Sequence, residues 1–562
     1  MKKWLSAVAV VCALGTAVHA EEKAPAGPDV KLDDALVTVL VSDIPTLVQQ
    51  AGDLAGKVQS GMGPETIKAQ VGGMLGDPEL EGLPKGSDAA FVAFPQVQML
   101  FVEVGGGKAE AYAKKAEDNG QMAVAADGVV VIAKEESALE AGKKLAPAVK
   151  SKVLAANKPA AVTVTVEMPR VLKQFGPQIE GGLAMMTASM KQAAEETTGA
   201  EAAKLIEAYL RFALAMAKEM ERLEVSVDLP AEGVRISKAV TPAAGSNLAA
   251  YLATPAPKSE DMLKFLPATG AMRAQYLMDI KALTAFLDKE LKPIAKEVGF
   301  DEKGLAALTE IMKKAGAAYS GSFAVDAVGG GTGLIDGTAA YALSDPAAAL
   351  SLLEDSVAQF EKSGLADLYE QMGMSMKLAL KKDARKHKDV AIHELTMKME
   401  SEANPEVAKL LGEGLKYEVA MVGKVQLLAM GDTKIEPLID AALDGNVPPA
   451  KPLAAQKLMP SGAAVLIDLD VPRYMKYIAL MAEKAGEEGD KMDAVIAKLS
   501  GAEPINIAAG VADGKAVGRM LVPVSLIEKV GKAMAEQAAS TDDESGEEEK
   551  SAEKTEESKP TE

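Results

Sequence analysis

A short unit recurs four times along the chain, and this repetition restricts the fold more than any other feature of the sequence. Leu36 to Val41 leads to Asp43-Ile44-Pro45, and Val162 to Val166 leads to Glu167-Met168-Pro169. Met272 to Met278 leads to Asp279-Ile280-Lys281, and Ala464 to Leu469 leads to Asp470-Val471-Pro472. Each copy is a strand-like run, an acid and a hydrophobe, followed by an amphipathic helix pattern such as Leu47, Val48, Ala51 or Tyr474, Met475, Ile478, Met481. A carboxylate at a strand-to-helix junction accepts first-turn N–H groups, and proline costs nothing in a first helical turn. Asp43, Glu167, Asp279 and Asp470 are therefore expected to be structural caps.

Two further matches place the repeats within a longer period. A hairpin of Leu223 to Leu229 and Val234 to Val240, then Thr241-Pro242 and a helix, matches Ile505 to Val511 and Ala516 to Leu521, then Val522-Pro523 and a helix. Met99 to Val104 with a following helix matches Thr338 to Leu343 with its helix. The hairpin Met122 to Ala133 matches Tyr417 to Met430. The order predicts a tandem duplication: a first half over 31–255, a linker over 256–261 and a second half over 262–538, lengthened by extra material near 361–400. Each half is expected to be α+β, a mixed or antiparallel sheet with helices packed on one face. Helices are expected over Gly182 to Leu223 and Asp301 to Ala317.

The ends of the chain read as an address and a tail. Residues 1–20 have Lys2 and Lys3, an apolar run from Trp4 to Val18 and small residues at Val18 and Ala20, which predicts a signal peptide cleaved after Ala20. The run is shorter than the roughly 20 apolar residues of a spanning helix. No membrane span is expected after cleavage, and 21–30 is a linker. The location implied is periplasmic or extracellular. Over 539–562 the chain is acidic and almost without aliphatic residues, the composition of a disordered, solvating tail.

Composition narrows the chemistry. The one Cys and the one Trp both lie in the leader, as Cys12 and Trp4, and only His387 and His393 follow it. That leaves no disulfide, no thiolate nucleophile and too little imidazole for a triad or a His-rich metal cage. Loss of Lys2 and Lys3 takes the formal charge from −20 to −22, a balance that repels phosphate backbones and argues against nucleic-acid binding. Aromatic residues are 4% of the chain, so its core must come from Ala, Val, Leu and Met.

Candidate sites are few. Gly105-Gly106-Gly107-Lys108 lacks the spacing of a phosphate loop, and its counterpart in the second half reads Ser344-Asp345-Pro346, so it is read as a turn. Gly329-Gly330-Gly331-Thr332-Gly333 is read as a hairpin loop. Asp468 and Asp470 are spaced to share a strand face and could act as paired carboxylates in a hydrolase; the plainer reading is one solvent-facing Asp and one cap. Lys381, Lys382, Arg385, Lys386 and Lys388 are the one strong basic run on an acidic body, read either as a solvated hairpin tip or as a contact for an acidic or anionic partner. Met185, Met186, Met190, Met216 and Met220 suggest adaptable packing or a malleable groove for an apolar ligand.

The recurring unit of strand, acid, hydrophobe, proline and helix, with hairpins between, resembles exported bacterial repeat proteins known only as domains of unknown function. The resemblance covers most of 31–538 and implies neither an activity nor any site residue. Positive signs of duplication and the lack of catalytic constellations together point to a non-enzymatic exported protein, with no catalytic, metal or cofactor residues assigned. A scaffold or binding role follows, the partner being a protein or an apolar small molecule. Oligomeric state is not legible.

Overall fold

The computed structural model describes residues 30–58, 63–156, 160–196, 200–267, 270–298, 302–328, 336–360, 374–401, 414–445, 447–485 and 490–536. The strand-like runs of the first half form β1 (Val37–Val41), β2 (Ala89–Ala93), β3 (Gln98–Glu103), β4 (Met122–Ala126), β5 (Val129–Ala133), β6 (Val162–Glu167), β7 (Met220–Asp228) and β8 (Gly233–Pro242). They are hydrogen-bonded in the order β4-β5-β3-β2-β1-β6-β7-β8, every neighbour antiparallel. The second half supplies β9 (Met272–Leu277), β10 (Tyr319–Val328), β11 (Asp336–Leu343), β12 (Met374–His387), β13 (Val390–Ser401), β14 (Leu415–Val422), β15 (Val425–Met430), β16 (Ala463–Leu469), β17 (Ile505–Ala512) and β18 (Lys515–Pro523). Their order is β12-β13-β14-β15-β11-β10-β9-β16-β17-β18. Apart from the β12–β13 hairpin at the outer edge, the two rows list corresponding strands in the same sequence. Instead of two separate sheets there is one of 18 strands, because β8 pairs antiparallel with β18, Ser237 opposite Arg519.

The helices are α1 (Ile44–Val58), α2 (Pro64–Leu75), α3 (Ala109–Asp118), α4 (Glu136–Val149), α5 (Met168–Glu196), α6 (Ala200–Lys218), α7 (Asn247–Leu252), α8 (Ile280–Val298), α9 (Glu302–Ala318), α10 (Pro346–Phe360), α11 (Glu436–Asp444), α12 (Val471–Ala485) and α13 (Asp490–Leu499), with a last helix over 524–536. A pair of helices follows each of β1, β6, β9 and β16. The helix expected over Gly182 to Leu223 ends earlier, α5 and α6 being followed by β7 from Met220. From Met220 the pattern changes to period two, with Leu223, Val225 and Val227 alternating against Arg222, Glu224, Ser226 and Asp228.

Helices on one face only was the expectation, and it fails at the outer strands. β5 is apolar and buried at every position, Val129 to Ala133, so both of its faces need cover. On one side α4 lays Ala138, Ala141 and Leu145 on Val92, Met99, Phe101 and Val131. Gly142 permits the approach: a Cβ there would stand 2.4 Å from Val131 Cγ1. On the other side α1, α2 and α3 cover Ala89, Val102, Val130 and Ile132 with Ile44, Ile67 and Tyr112. In the second half α11 covers Ala340 and Leu427 with Leu438 and Ile439, while α9 and α10 pack on the opposite face at Leu343.

Turn chemistry fixes the register that separates these faces. β4–β5 and β17–β18 are joined by Asp127-Gly128 and Asp513-Gly514, all four residues at positive φ, the two-residue Asp-Gly turn whose twist suits a hairpin. A slip of one residue would exchange the faces of a strand, so these turns hold the pattern in place.

Candidate functional site

Of the four expected caps, three receive a first-turn amide. Thr46 N donates to Asp43 Oδ1, Ala282 N to Asp279 Oδ1 at 2.9 Å and Arg473 N to Asp470 Oδ1 at 3.1 Å. Glu167 is the exception and corrects the expectation: it lies within β6, and its carboxylate accepts from the Arg222 guanidinium at 2.8 Å across the sheet. The longer Glu side chain, still on the strand, reaches the neighbouring strand rather than the helix ahead.

The Asp468 and Asp470 carboxylates each serve the backbone. Asp468 is not solvent-facing: it accepts from Ala454 N at 2.7 Å, Ala455 N at 2.9 Å and Asn506 Nδ2 at 3.0 Å. Asp470 lies past the end of β16, where its own amide donates to Ala271 O and its side chain meets Arg473. No hydrogen bond joins the two carboxylates among the described residues.

The basic run sits mostly within β12, with the turn at Lys388-Asp389. Acids of the same chain meet much of its charge. Lys382 pairs with Glu354, Arg385 with Glu418 and Glu436, and Lys388 and His387 share Asp440 at 2.9 and 2.7 Å. Lys381, opposite Glu394, Lys382, Lys386 and Lys388 are exposed, whereas Arg385 is half-buried. The Arg385 guanidinium, ahead of a backbone contact, holds the Glu436 carboxyl below the ordinary glutamate range. His393 is a buried, satisfied imidazole: its Nδ1 accepts from the amide of Asp383 in a bulge of β12.

The centre of the sheet is unlike its ends. No residue of β6, β7 or β16 is buried on either face. One face is polar over β6, β7, β8 and β18, with Thr163, Ser226, Ser237 and Arg519 in a cross-strand row that continues into Ala508 and Leu466 beneath Leu458 and Met459. The other is apolar. The row Val162, Val227, Ile236, Met520, Ile507 and Ile467 crosses six strands without a polar side chain. All six are half-buried. The adjacent row is Val164, Val225, Lys238, Gly518, Ala509 and Val465, in which Lys238 is exposed. The two rows form a contiguous, half-buried aliphatic surface.

That second row continues without a break into Tyr276, Phe323, Tyr341 and Gln426 on β9, β10, β11 and β15. The rings stack: Tyr276 on Phe323 at 4.6 Å between centroids and 12° between planes, Phe323 on Tyr341 at 5.5 Å and 19°. Beside them is a cavity of about 240 Å³, walled also by Ile280 of α8, Ala315 of α9 and Leu428 of β15. Tyr319 closes one side, and its hydroxyl donates to Gln426 Oε1 at 2.8 Å. A bulge in β10 sets that geometry. Gly321, at φ +92°, passes so close to Met278 O that a Cβ would stand 2.3 Å from it. Burial pushes the Tyr319 hydroxyl up to about 12 and raises Tyr341 and Tyr276 above the usual tyrosine value.

The expected methionine groove takes another form. Met185 and Met186 stand out from α5 at 73% and 43% exposure, Met220 belongs to β7, and the side chain of Met190 lies outside the described residues. Sequence reasoning missed the aromatic row. A signal was present: in a chain with ten Tyr and ten Phe, Tyr276, Tyr319, Phe323 and Tyr341 cluster in three successive strand-like runs. The leader, the acidic tail and the Gly329 to Gly333 run lie outside the described residues.

No helix among the described residues is long and apolar enough to cross a membrane, and none of their acids and histidines gather into a group of three or more that could hold a metal ion. Comparison of the chain with protein-family models, curated proteins and solved structures found no match.

Proposed function

We propose that the chain is an exported, non-enzymatic binding protein that carries an apolar ligand on the aliphatic face of its central strands. The observation that carries this reading is the row Val162, Val227, Ile236, Met520, Ile507 and Ile467, apolar throughout yet only half-buried. Both ends of the same sheet are sealed by helices, so the partly open centre does not reflect a chain short of helices. Covering those side chains with a ligand recovers about 25 cal/mol for each Å² of apolar surface removed from water. The aromatic row at one end supplies ring edges, and Lys238 supplies a cation within the apolar field.

The halves over 31–255 and 262–538 are inferred to be copies of one ancestral segment, with the β12–β13 hairpin added to the second. The matching strand orders support this. Export rests on the leader-like residues 1–20. Strand-opposite substitutions test the binding role. The uncharged dye Nile red, larger than the 240 Å³ cavity, is expected to brighten with the full chain. Val225→Lys is expected to abolish the response, whereas Ser226→Lys, next in β7 but on the polar face, leaves it intact. Equal responses from both variants would refute the assignment of that face.

A second reading, a scaffold for a protein partner, draws on the α5–α6 pair, where Met185 is 73% and Tyr209 70% exposed. Crosslinking of the intact protein in its envelope, compared with a Met185→Asp, Tyr209→Asp variant, tests it. Identical crosslinks from both would remove the helices from any interface.

A further inference from the structure

The cavity beside the aromatic row carries a more specific assignment, one that rests on reading this sheet face as a ligand surface. We propose that it is the seat of a planar, uncharged ring compound bearing one hydrogen-bonding oxygen, with the ring against Phe323 and Tyr341 and the oxygen at the Gln426 amide.

One cross-strand row is filled differently in the two halves. The edge hydrogen bonds Glu167 N to Leu36 O and Asp470 N to Ala271 O fix matching registers. Counted from them, the positions of Tyr276, Phe323, Tyr341 and Gln426 correspond to Val41, Ala89, Val102 and Val130. In the first half that row is filled by small aliphatic side chains sealed under α1, α2 and α3, with Val102 and Val130 fully buried. In the second half the same row holds three stacked rings and a buried amide, and an open volume remains between them and α8 and α9. Packing alone is satisfied by the first arrangement. The second places aromatic rings and a polar group where the scaffold needs neither.

The lining then fixes the class of ligand. Phe323 is stacked between Tyr276 and Tyr341, so the row meets the cavity with ring edges, which favour an aromatic ligand in edge-to-face contact. No lining side chain is charged, and the surroundings that raise the Tyr319 and Tyr341 hydroxyls disfavour an anion. Ser322, also in the lining, is already occupied, donating to Glu260 O and accepting from Glu260 N. Gln426 is different. Its Oε1 accepts from Tyr319, but its Nε2 donates to nothing among the described residues, so two amide hydrogens remain for an acceptor oxygen. A cavity of about 240 Å³ exceeds the roughly 150 Å³ that accommodates benzene, which suits two fused rings.

Equilibrium dialysis of the full chain against 2-naphthol, naphthalene and 2-naphthoate tests the assignment. 2-Naphthol is expected to bind most tightly, naphthalene roughly three- to tenfold more weakly for want of one hydrogen bond, and the charged 2-naphthoate more weakly still. Phe323→Ala is expected to weaken 2-naphthol about tenfold or more, and Gln426→Leu to abolish its advantage over naphthalene. Circular dichroism and urea midpoints confirm that each variant is folded, and Val41→Ala in the first half serves as a packing control that leaves binding unchanged. The proposal is overturned if 2-naphthol does not bind, if it binds no better than naphthalene, or if Phe323→Ala and Gln426→Leu bind it as the unaltered chain does. Nile red uptake that survives these failures and still responds to Val225→Lys would leave the broader carrier reading standing; loss of both would remove it too.

Discussion

If the centre of the sheet is partly open, identical truncations at a sealed and an open position must differ in cost. Val131 and Val164 make the comparison. Both are mid-strand valines of one sheet; Val131 is fully buried under α4, whereas Val164 is half-buried in β6. Truncation to alanine removes two methyl groups, worth about 1.6 kcal/mol of transfer free energy at ~0.8 kcal/mol each when burial is complete. At Val131 the residual void adds about 1 kcal/mol, taking ~24 cal/mol per Å³ and some 40 Å³ unfilled, for a total of about 2–3 kcal/mol. At Val164 water already reaches the side chain and fills the space, so the cost is below about 1 kcal/mol. Any loss of strand propensity is common to both and cancels in the difference. Urea unfolding followed by far-ultraviolet circular dichroism, with m unchanged, gives the two values. Val164→Ala costing as much as Val131→Ala would mean that the central strands are covered in solution, and the reasoning would fail.

Other substitutions probe the supports of the face. Gly142→Ala is expected to destabilise by about 1–3 kcal/mol despite alanine's helix preference, because the new Cβ meets Val131 at 2.4 Å. Gly181→Ala, in open space on α5, is expected to stabilise by up to ~1 kcal/mol, and the opposite signs are read from thermal midpoints. Asp279→Ala is expected to cost about 1 kcal/mol through loss of its amide bond at the start of α8. Glu167→Ala, which removes only a partly exposed ion pair, should cost less than about 1 kcal/mol. The Arg385 cluster sets an acid limit. Because Glu436 titrates below its ordinary value of 4.5 when folded, its contribution is full above that pH and is lost as the pH falls through the depressed folded value. The stability gap between the unaltered chain and Arg385→Met should therefore be widest near neutrality and shrink below pH 4.5, and a pH-independent gap would contradict the pairing.

The sequence made the strands legible because their chemistry is local. Val162 to Val166 alternates with threonine, and Asp127-Gly128 can close only a tight turn, so hairpins and faces follow from spacing. Strand-to-helix acids were equally readable, except at Glu167, where one added methylene let the carboxylate choose Arg222. The union of the two rows through β8 and β18 was not legible, since nothing in Gly233 to Pro242 distinguishes an edge from an interior strand. Nor was the aromatic row. Tyr276, Phe323, Tyr341 and Gln426 are up to 150 residues apart and meet only through long-range register, which no periodicity within a window reports. The acids that meet the basic run, Glu354, Glu418, Glu436 and Asp440, were illegible for a related reason, since they lie on other elements.

The central claim is that the aliphatic face of β6, β7, β8, β18, β17 and β16 holds an apolar molecule. Mild purification of the protein from its native cells, solvent extraction and mass spectrometry of the extract test it most directly. An apolar compound at near one per chain is expected from the unaltered protein, and little or none from Val225→Lys. A clean extract from a folded protein that also takes up no Nile red would contradict it.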